Sequence, residues 1–383
     1  MALPSCVQNQ RIGSVRQCHV FEEDVTLAID SIFEQTQPTQ RDTLVLFVSS
    51  LYPLQELMQT AHQKLSCNIY GCTTSGEIGA GGYRDHSISG ALFSDDHFEF
   101  IPNLHKFYHE ELRSSTDQFS DKFDSKFTIA LLEGLSGMEE RAVADYCSRN
   151  HFPLVGGSSG DDLGFKETYI FVNGHIYQNA GLFLSCSTDY RIEIFKAQHF
   201  EPTNVRLVTT RTDPSRRIVF EINGKPAALE YARLVGCAVE DLGPDVFAIK
   251  PILLKIGSEY FIRSIQKVNE DLSLTFYCAI ADGMVLRFAD GHDIVESVKT
   301  LKRDLVREQN PSTTLIFECI LRKLELERLD LKDQSFQAME GLEPVGFHTY
   351  GEQMNSIHIN QTISGIAFYS NEEKGRCSSP RSI

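Results

Sequence analysis

Gly71–Phe93 reads GCTTSGEIGAGGYRDHSISGALF, and Gly346–Phe368 reads GFHTYGEQMNSIHINQTISGIAF. The two stretches align without a gap at a constant offset of 275 residues, and they share glycines, a glutamate and an apolar Ile-Ser-Gly run. Chance would not readily keep these residues in register over so long a stretch. The match therefore indicates two copies of one structural unit.

The same order of predicted elements surrounds each copy. Leu44–Ser49 is a short continuous apolar run, which is typical of a strand buried on both faces. Leu54–Leu65 has its apolar residues at helical spacing, Cys67–Cys72 reads as the next strand, and Ile88–Phe93 begins the strand after the glycine loop. In the late copy the corresponding segments are Thr314–Cys319, a helical stretch to about Leu331, and Pro344–Phe347.

A third and looser copy lies between these two. Phe127–Glu133 reads as a strand, Glu139–Asn150 as a helix, and Pro153–Asp162 (PLVGGSSGDD) as a strand that leads into a glycine-rich turn. Ala180–Cys186 is the strand that follows. Three strand-helix-strand-loop-strand units predict a mixed α/β (α+β) fold, in which helices cover sheets.

The middle of the chain suggests a division into two domains. Ile192–Phe200 reads as a strand that ends at Pro202, and a helix is predicted at Ala227–Leu234. We place the boundary near residue 225. The predicted organisation is an N-terminal extension at 1–29, domains at 30–225 and 226–370, and a flexible tail at 371–383, with the polar termini frayed up to about residue 20 and beyond about residue 371.

Charge and hydropathy narrow the class of protein. The net charge of -16 and the pI of about 5.2 disfavour binding to nucleic acid, because such a field repels phosphates. The N-terminus lacks the apolar segment of a signal peptide, and no apolar run is long enough to span a membrane. We therefore expect a cytoplasmic protein whose cysteines, which include no C-x-x-C pair, are mostly small buried residues.

Three motifs in a fixed order carry a resemblance to a known family. GCTTSGEI, then FPLVGGSSGDD, then VGFHTYGEQ with ISGIAF resemble the FIST N-terminal and C-terminal domain pair from about residue 30 to 370. The segments HFEPTNVRLVTT, VFEINGKPA and LEYARLVG are similar to nitric-oxide-sensing FIST proteins of the NosP type. That resemblance implies haem b as cofactor, detection of nitric oxide, and control of a partner histidine kinase or cyclic-di-GMP enzyme.

The glycine loops are the predicted ligand site. Glycine allows close approach of backbone to a ligand, and successive N–H groups can bind an anion. The same residues also suit tight turns with hydroxyl caps, and both interpretations stay open. The predicted ligand-binding residues are Thr73, Thr74, Ser75, Gly76 and Glu77 in the first loop, Gly157, Ser158, Ser159, Gly160 and Asp161 in the second, and Thr349, Tyr350, Gly351 and Glu352 in the third.

Two features of these loops raise the question of catalysis. Glu77 and Glu352 hold equivalent places and could act as an acid/base pair, but no nucleophile accompanies them, and we favour a structural role in their own loops. Cys72 precedes the first loop, where a thiol could be activated. No histidine is placed beside it by the sequence, so we favour a buried, inert thiol.

The histidines bear on the implied haem. His199 is our first candidate for the axial ligand of the haem iron, because it ends a predicted strand within the segment that resembles the haem-binding proteins. His348, within the third loop, and His151, before the second, are the reserves. His105 and His109 could share a helical face, but two histidines make only a weak zinc signal.

The sequence thus predicts a signalling sensor without enzymatic activity. The first hypothesis is a haem-based nitric oxide sensor that acts on a partner protein and can form homodimers. The alternative is a haem-free FIST sensor of amino acids or related metabolites, whose loops would bind a carboxylate. A hydrolase that uses Cys72 or the glutamate pair is a weaker third hypothesis, since no catalytic triad motif supports it.

Overall fold

The computed structural model describes residues 14–107 and 122–371. Its described part is built from four β-sheets with helices on their outer faces. The predicted mixed α+β class with helix-covered sheets is confirmed.

All three sequence copies fold as the predicted unit. The first comprises β1 (Val15–Val20), α1 (Val25–Thr36), β2 (Thr43–Ser49), α2 (Leu54–Lys64), β3 (Asn68–Thr74), β4 (Glu77–Gly79), β5 (Gly82–Arg84) and β6 (Ile88–Phe93). The second comprises β7 (Phe98–Lys106), β8 (Ser125–Leu132), α3 (Glu139–Arg149), β9 (Leu154–Ser158), β10 (Ile170–Val172), β11 (His175–Tyr177) and β12 (Ala180–Thr188). The third comprises β13 (Arg191–Ala197), α6 (Ile294–Leu305), β22 (Thr313–Cys319), α7 (Ile320–Arg328), α8 (Lys332–Ala338), β23 (Pro344–Thr349), β24 (Glu352–Met354), β25 (Ile357–Ile359) and β26 (Ile363–Tyr369).

Each repeat forms one sheet with the same strand order. The first sheet runs β1-β6-β2-β3-β10-β11, the second β7-β12-β8-β9-β24-β25 and the third β13-β26-β22-β23-β4-β5. In each sheet the two central strands are parallel, as in β2 with β3, and the other neighbours are antiparallel. The three sheets therefore share one topology.

The repeats exchange their small hairpins in a ring. The hairpin β4–β5 of the first repeat pairs with β23 of the third, β24–β25 of the third pairs with β9 of the second, and β10–β11 of the second pairs with β3 of the first. Every glycine loop lies directly before a hairpin that crosses to another repeat. The exchange brings the three loops together at one end of the sheets.

The sheets bury their inner faces in a shared aromatic core. The Phe47 ring of the first sheet lies 4.8 Å from that of Phe347 and 6.2 Å from that of Phe317, both in the third sheet. Phe127 of the second sheet packs 5.5 Å from Phe368. Helices cover the outer faces, so the central strands are buried on both sides, which explains their continuous apolar runs.

One glycine in each repeat allows the central strands to approach. A Cβ atom added at Gly71, Gly156 or Gly346 would lie 2.0, 1.9 or 1.8 Å from a carbonyl oxygen of the adjacent parallel strand. Real Cβ atoms do not come this close to backbone. The glycines shared by the three motifs are therefore required for packing.

A fourth sheet is inserted into the third repeat, between β13 and α6. Its core is closed by α4 and by apolar residues of its own strands. Its elements are β14 (Phe200–Asp213), β15 (Ile218–Ile222), β16 (Lys225–Pro226), α4 (Ala227–Val235), α5 (Pro244–Ile249), β17 (Ile252–Ile256), β18 (Glu259–Arg263), β19 (Ile265–Val268), β20 (Leu274–Phe276) and β21 (Val285–Gly291). The order is β18-β17-β21-β14-β15-β20-β19, with β16 on β15.

The N-terminus, the strand before Pro202 and the region near residue 225 can be compared with their sequence predictions. The frayed N-terminus was wrong for residues 15–20, which form β1 because its apolar side chains pack under α1. The strand predicted to end at Pro202 ends at Ala197, and a new strand begins at Phe200 and runs through the proline. The predicted domain boundary near residue 225 lies at β16, inside the inserted sheet, and the tail beyond residue 371 lies outside the described residues.

Candidate functional site

The three glycine loops contact one another directly. The amide of Gly160 donates to the Thr73 carbonyl at 3.0 Å, and the amide of Tyr350 donates to the Ser158 carbonyl at 3.1 Å. The amide of Ser75 donates to the carbonyl of His348 at 3.1 Å. The hairpin exchange has thus gathered the predicted ligand-binding residues at one junction, which we call the loop junction.

Loop residues at the junction bind mainly to each other. Thr74, Ser75, Ser158 and Thr349 are at most 1% exposed. A Cβ at Gly160 would lie 2.1 Å from the Ser75 hydroxyl oxygen, so the loops pack tightly. The predicted role of these residues as direct ligand contacts stays a prediction, while their role in joining three repeats is visible in the structure.

The two equivalent glutamates serve the same structural purpose. Glu77 accepts hydrogen bonds from the Thr74 hydroxyl and from the amide and hydroxyl of Ser87, at 2.9 and 2.7 Å for the latter two. Glu352 accepts from the hydroxyls of Thr349 and Thr362 at 2.7 and 2.5 Å. Each carboxylate ties its loop to the start of the strand ten residues on.

Burial dominates the acidity of these groups. It raises the pKa of Glu77 to about 7 and that of Glu352 to about 8, even though the hydrogen bonds from hydroxyl groups oppose the shift. It also raises the pKa of the Cys72 thiol well above its ordinary value. Cys72 is completely buried in the aromatic core, which fits the inert thiol that the sequence favoured.

A lysine from α7 clamps the loop junction. Lys323 donates from Nζ to the Ser75 carbonyl at 2.9 Å and to Asp85 Oδ1 at 2.5 Å, and it lies 3.5 Å from Asp162 Oδ1. The side chain of Lys323 is 5% exposed. A movement of α7 would therefore change the contacts that Lys323 makes with both the first and the second loop.

Arg322, which precedes Lys323 in α7, belongs to a buried chain of charged groups. Arg322 Nε donates to Glu318 Oε1 at 2.9 Å, and its Nη1 donates to His199 Nδ1 at 3.0 Å. Glu318 Oε2 lies 3.9 Å from His348 Nδ1. Among the described residues, neither ring nitrogen of His348 nor Arg322 Nη2 has a hydrogen-bond partner. Burial lowers the pKa of His348 well below its ordinary value, so this histidine is neutral.

His199 is committed to this charged chain by both of its ring nitrogens. A guanidinium can only donate, so Nδ1 of His199 accepts from Arg322 and Nε2 donates to Glu325 Oε1 at 2.9 Å. The His199 side chain is fully buried. Instead of ending a strand, the residue lies in the short link between β13 and β14.

The three histidines that the sequence offered as haem ligands do not fit the axial position. His199 has no free nitrogen, and the cavity it lines also carries Glu201, Asp293 and Glu296, which are not the apolar wall a porphyrin needs. His348 lies enclosed against Tyr83, and His151 is exposed.

Of the two histidines of the weak zinc signal, His105 lies on a strand and not on the predicted helix. His105 lies in β7, with its ring 5.1 Å from that of Phe183, and His109 lies outside the described residues. Over residues 14–107 and 122–371, no group of three or more His, Cys, Asp or Glu is placed to hold a metal ion.

An apolar cavity of about 600 Å³ opens beside the loop junction. It lies where the inserted sheet, α7 and the end of the second glycine loop meet. Its apolar wall includes Leu163, Phe165, Phe247, Ile249, Leu321 and Leu324, and its polar groups are Asp245, Ser264, Gln266, Tyr277, Glu325 and Arg328. A largely apolar cavity with a few polar groups, between two parts of a chain, is the usual form of a small-molecule site.

The second loop is strained where it reaches this cavity. Asp162, Leu163 and Phe165 have φ values of +53°, +64° and +49°, in a region that non-glycine residues rarely occupy. Asp161 holds the turn by accepting from three backbone amides at 2.6 to 3.1 Å, and the Tyr350 hydroxyl donates to Asp161. The Phe165 ring stacks on that of Tyr350 at 5.1 Å. Strain of this kind is often found at ligand sites.

Sequence reasoning found the loops but not the cavity beside them. The missed residues lie on α7, α5 and β19, after the second glycine loop and just beyond β20. The helical spacing along α7 is the one pattern in the sequence that could have indicated the cavity. Leu321, Leu324 and Arg328 are three to four residues apart and share the helix face that lines the cavity. Arg322 and Lys323 make their contacts on the other side, toward the loop junction.

Comparison with known protein families gives two adjoining matches. Residues 42–225 match the FIST N domain, and residues 227–355 match the FIST C domain. No curated protein matches the chain. Within the described ranges, no helix is both long and apolar enough to cross a bilayer. The two matches cover most of the chain, and the protein belongs to the family of FIST-domain proteins, whose domains act as sensors in signal transduction.

Proposed function

We propose that this protein is a small-ligand sensor without enzymatic activity, and that its ligand binds in the apolar cavity between α7 and the inserted sheet. The observation that carries the proposal is the place of that cavity. One wall is the strained end of the second glycine loop, and another is the helix whose other face clamps the loop junction.

The arrangement offers a route from ligand to signal. Leu321, Leu324 and Glu325 face the cavity. Lys323 holds the first loop, and Arg322 holds His199 in the link between β13 and β14, which we call the neck of the inserted sheet. A ligand that packs against α7 changes the balance between two positions of this helix only if it prefers one of them. The loop junction, where three repeats meet, would then report that preference to the protein surface.

A ligand screen with a blocked cavity tests the proposal. We would measure melting temperatures with a panel of amino acids and related apolar metabolites. Leu324→Trp should fill the cavity and abolish the stabilisation by any ligand found, since binding to the native state raises its apparent stability. Leu229→Trp, on the exposed face of α4, is the matched control. A ligand whose effect survives in Leu324→Trp would place the site elsewhere.

Haem-based nitric oxide sensing is the second candidate, and the cavity's apolar lining favours it to the extent that a porphyrin also needs an apolar wall. None of the described residues that line this cavity is a histidine, so an axial ligand among them would be of another residue type. Titration with hemin is the direct test. A Soret band that persists in His199→Ala and is lost in Leu324→Trp would support haem in the cavity, and a colourless protein would exclude this candidate.

The regulated partner belongs to the same proposal. From the resemblance we propose that the partner is a sensor histidine kinase or a cyclic-di-GMP enzyme in the cytoplasm. The rate of autophosphorylation of a purified kinase, with and without the sensor and its ligand, would test the first form. A rate that responds to neither would contradict it.

A further inference from the structure

One carboxylate oxygen in the cavity wall lacks a partner. Glu325 lines the cavity, and its side chain is 12% exposed. Its Oε1 accepts the proton of His199, but no group in the described part of the chain donates to Oε2, which is buried. A carboxylate oxygen that is shielded from water and has no hydrogen bond is costly, so a ligand donor that reaches this oxygen would be bound strongly.

Three of the other polar residues of the cavity, Arg328, Asp245 and Ser264, are already paired. Arg328 forms an ion pair with Asp245 at 3.1 Å, at the exposed rim. The Ser264 hydroxyl donates to Gln361, which in turn donates to the Ala248 carbonyl, both at 3.0 Å. The positive charge of Arg328 at the rim is thus balanced by Asp245. Among the charged residues described in the cavity wall, Glu325 is the one without a cationic partner.

His199 does not neutralise Glu325. Because Arg322 donates to its Nδ1, the imidazole is held in the neutral form with its single proton on Nε2. His199 therefore supplies one hydrogen bond and no positive charge. The wall keeps a net negative charge at this point.

Aromatic side chains add to the preference for a cation. Phe165, Phe247 and Tyr277 line the same cavity as Glu325. The faces of aromatic rings attract ammonium groups, most strongly where water is excluded. Most of the remaining lining residues are aliphatic and suit an apolar body.

We infer that the ligand of this cavity carries a protonated amine on an apolar body, with the amine bound by Glu325. This inference rests on the proposed function, because it names the chemical class of the ligand at the same site. It assigns selection of the ligand to Glu325 in the wall and not to Arg328 at the rim.

Three probes of one shape test the inference by isothermal titration calorimetry. They are 2-phenylethylamine, the neutral 2-phenylethanol and the anionic 3-phenylpropionate. The amine should bind at least about tenfold more tightly than the other two, which corresponds to one charge-assisted hydrogen bond of about 1.4 kcal/mol or more. An equal or tighter affinity for the alcohol or the acid would overturn the inference while leaving a ligand site in place.

Variants of the glutamate locate the effect. Glu325→Gln keeps an acceptor for His199 but removes the charge, and it should weaken binding of the amine at least about tenfold while leaving the alcohol unchanged. Glu327→Gln, two residues along the same helix and exposed, is the matched control and should change neither affinity. An unchanged amine affinity in Glu325→Gln would overturn the inference.

Three further outcomes are informative. If circular dichroism shows that Glu325→Gln does not fold, Glu325→Asp takes its place, because it keeps the charge but shortens the side chain. This variant should have a lower affinity for the amine and an unchanged affinity for the alcohol. If none of the three probes binds to the wild-type protein, both this inference and the proposed site are contradicted. Binding of all three with equal affinity contradicts the inference alone.

Discussion

The third repeat differs from the first two at one point of an otherwise shared design. On the paired central strands, Glu318 lies opposite His348 in the third repeat. At the same register, the first repeat has Val48 opposite Thr73 and the second has Leu132 opposite Ser158. The three positions share their backbone geometry but not their chemistry.

The comparison separates what builds the fold from what was added to it. The glycines and hydroxyl groups recur in all three repeats, and the loop glutamate recurs in the first and third, because each repeat needs the same close approach and a similar turn. The buried chain from Glu318 through Arg322 to His199 occurs once, beside the cavity. Buried ion pairs contribute little to stability on balance, so a pair kept in only one of three equivalent places points to function.

The largest expected effect concerns the shared design. Gly346→Ala places a Cβ 1.8 Å from the Ile316 carbonyl oxygen, and we expect loss of the native fold, with a cost of more than about 4 kcal/mol. Gly71→Ala and Gly156→Ala should behave alike. Gly243→Ala, with no atom within 4 Å of its added Cβ, is the control and should melt like wild type. A folded Gly346→Ala protein would contradict the equivalence of the repeats.

The charged chain of the third repeat provides the next effect. Arg322→Met leaves the buried Glu318 without its partner, and we expect a loss of about 3–5 kcal/mol in the free energy of unfolding, measured with urea. The double variant Glu318→Val with Arg322→Met restores an apolar residue like that of the first repeat and should recover most of the loss.

Tyr52, four residues after Val48, is the matched position in the first repeat. Its hydroxyl donates to the Glu22 carbonyl at 2.7 Å, and Tyr52→Phe should cost only about 1 kcal/mol. Equal losses in Arg322→Met and Tyr52→Phe would show that the third repeat is not specialised.

The loop glutamates predict a dependence of stability on pH. The pKa of Glu352 is about 8 in the folded protein and near 4.5 in the unfolded chain, so between these values the folded state holds the extra proton. Stability from this group therefore falls as pH rises from about 5 to 8, by an order of a few kcal/mol. Glu352→Gln should remove that slope.

The slope has to be measured as a difference between proteins. Buried neutral histidines such as His348 and His358 have lowered pKa values, and they reduce stability as pH falls below the ordinary histidine value. Unfolding free energies of Glu352→Gln minus wild type at pH 5, 6, 7 and 8 isolate the glutamate. Glu327→Gln should show no change with pH, and a flat difference for Glu352→Gln would contradict the prediction.

The smallest effect concerns the neck of the inserted sheet. His199→Ala removes two hydrogen bonds of a buried ring and should cost about 1–3 kcal/mol. His292 pairs with the His199 carbonyl only through its backbone, and its side chain is 58% exposed. His292→Ala should therefore stay within about 0.5 kcal/mol of wild type in the same urea titration. A reversed order would place the anchor of the neck at His292.

Much of the fold could be predicted because its signals are local. The apolar runs of β2, β8 and β22 and the helical spacing of α2 lie within single segments, and the ungapped match of two glycine motifs revealed the repeat. β1 was missed because an edge strand is short and only half buried. The break between β13 and β14 was missed because the strand was expected to end at Pro202, which lacks an amide proton. Proline can nevertheless lie in a strand where no partner needs that proton, and β14 runs through Pro202.

The candidate site was predicted only in part for a related reason. The loop residues could be identified, since glycine and hydroxyl residues at fixed spacing have few other uses. The cavity wall could not, because Leu324 and Phe247 are ordinary apolar residues of two separate helices, and Tyr277 lies just beyond the end of β20. Their meeting depends on how the inserted sheet packs against α7.

By itself the sequence determined the repeated unit, its mixed α and β composition and the glycine loops, because periodicity and backbone requirements are written in neighbouring residues. Only the tertiary structure decided the exchange of hairpins, the state of His199 and the free oxygen of Glu325. His199 and Arg322 are 123 residues apart in the chain, and His199 and Glu325 are 126 apart. A histidine's role depends on which groups reach its two nitrogens, and that is set by packing between elements far apart in the sequence.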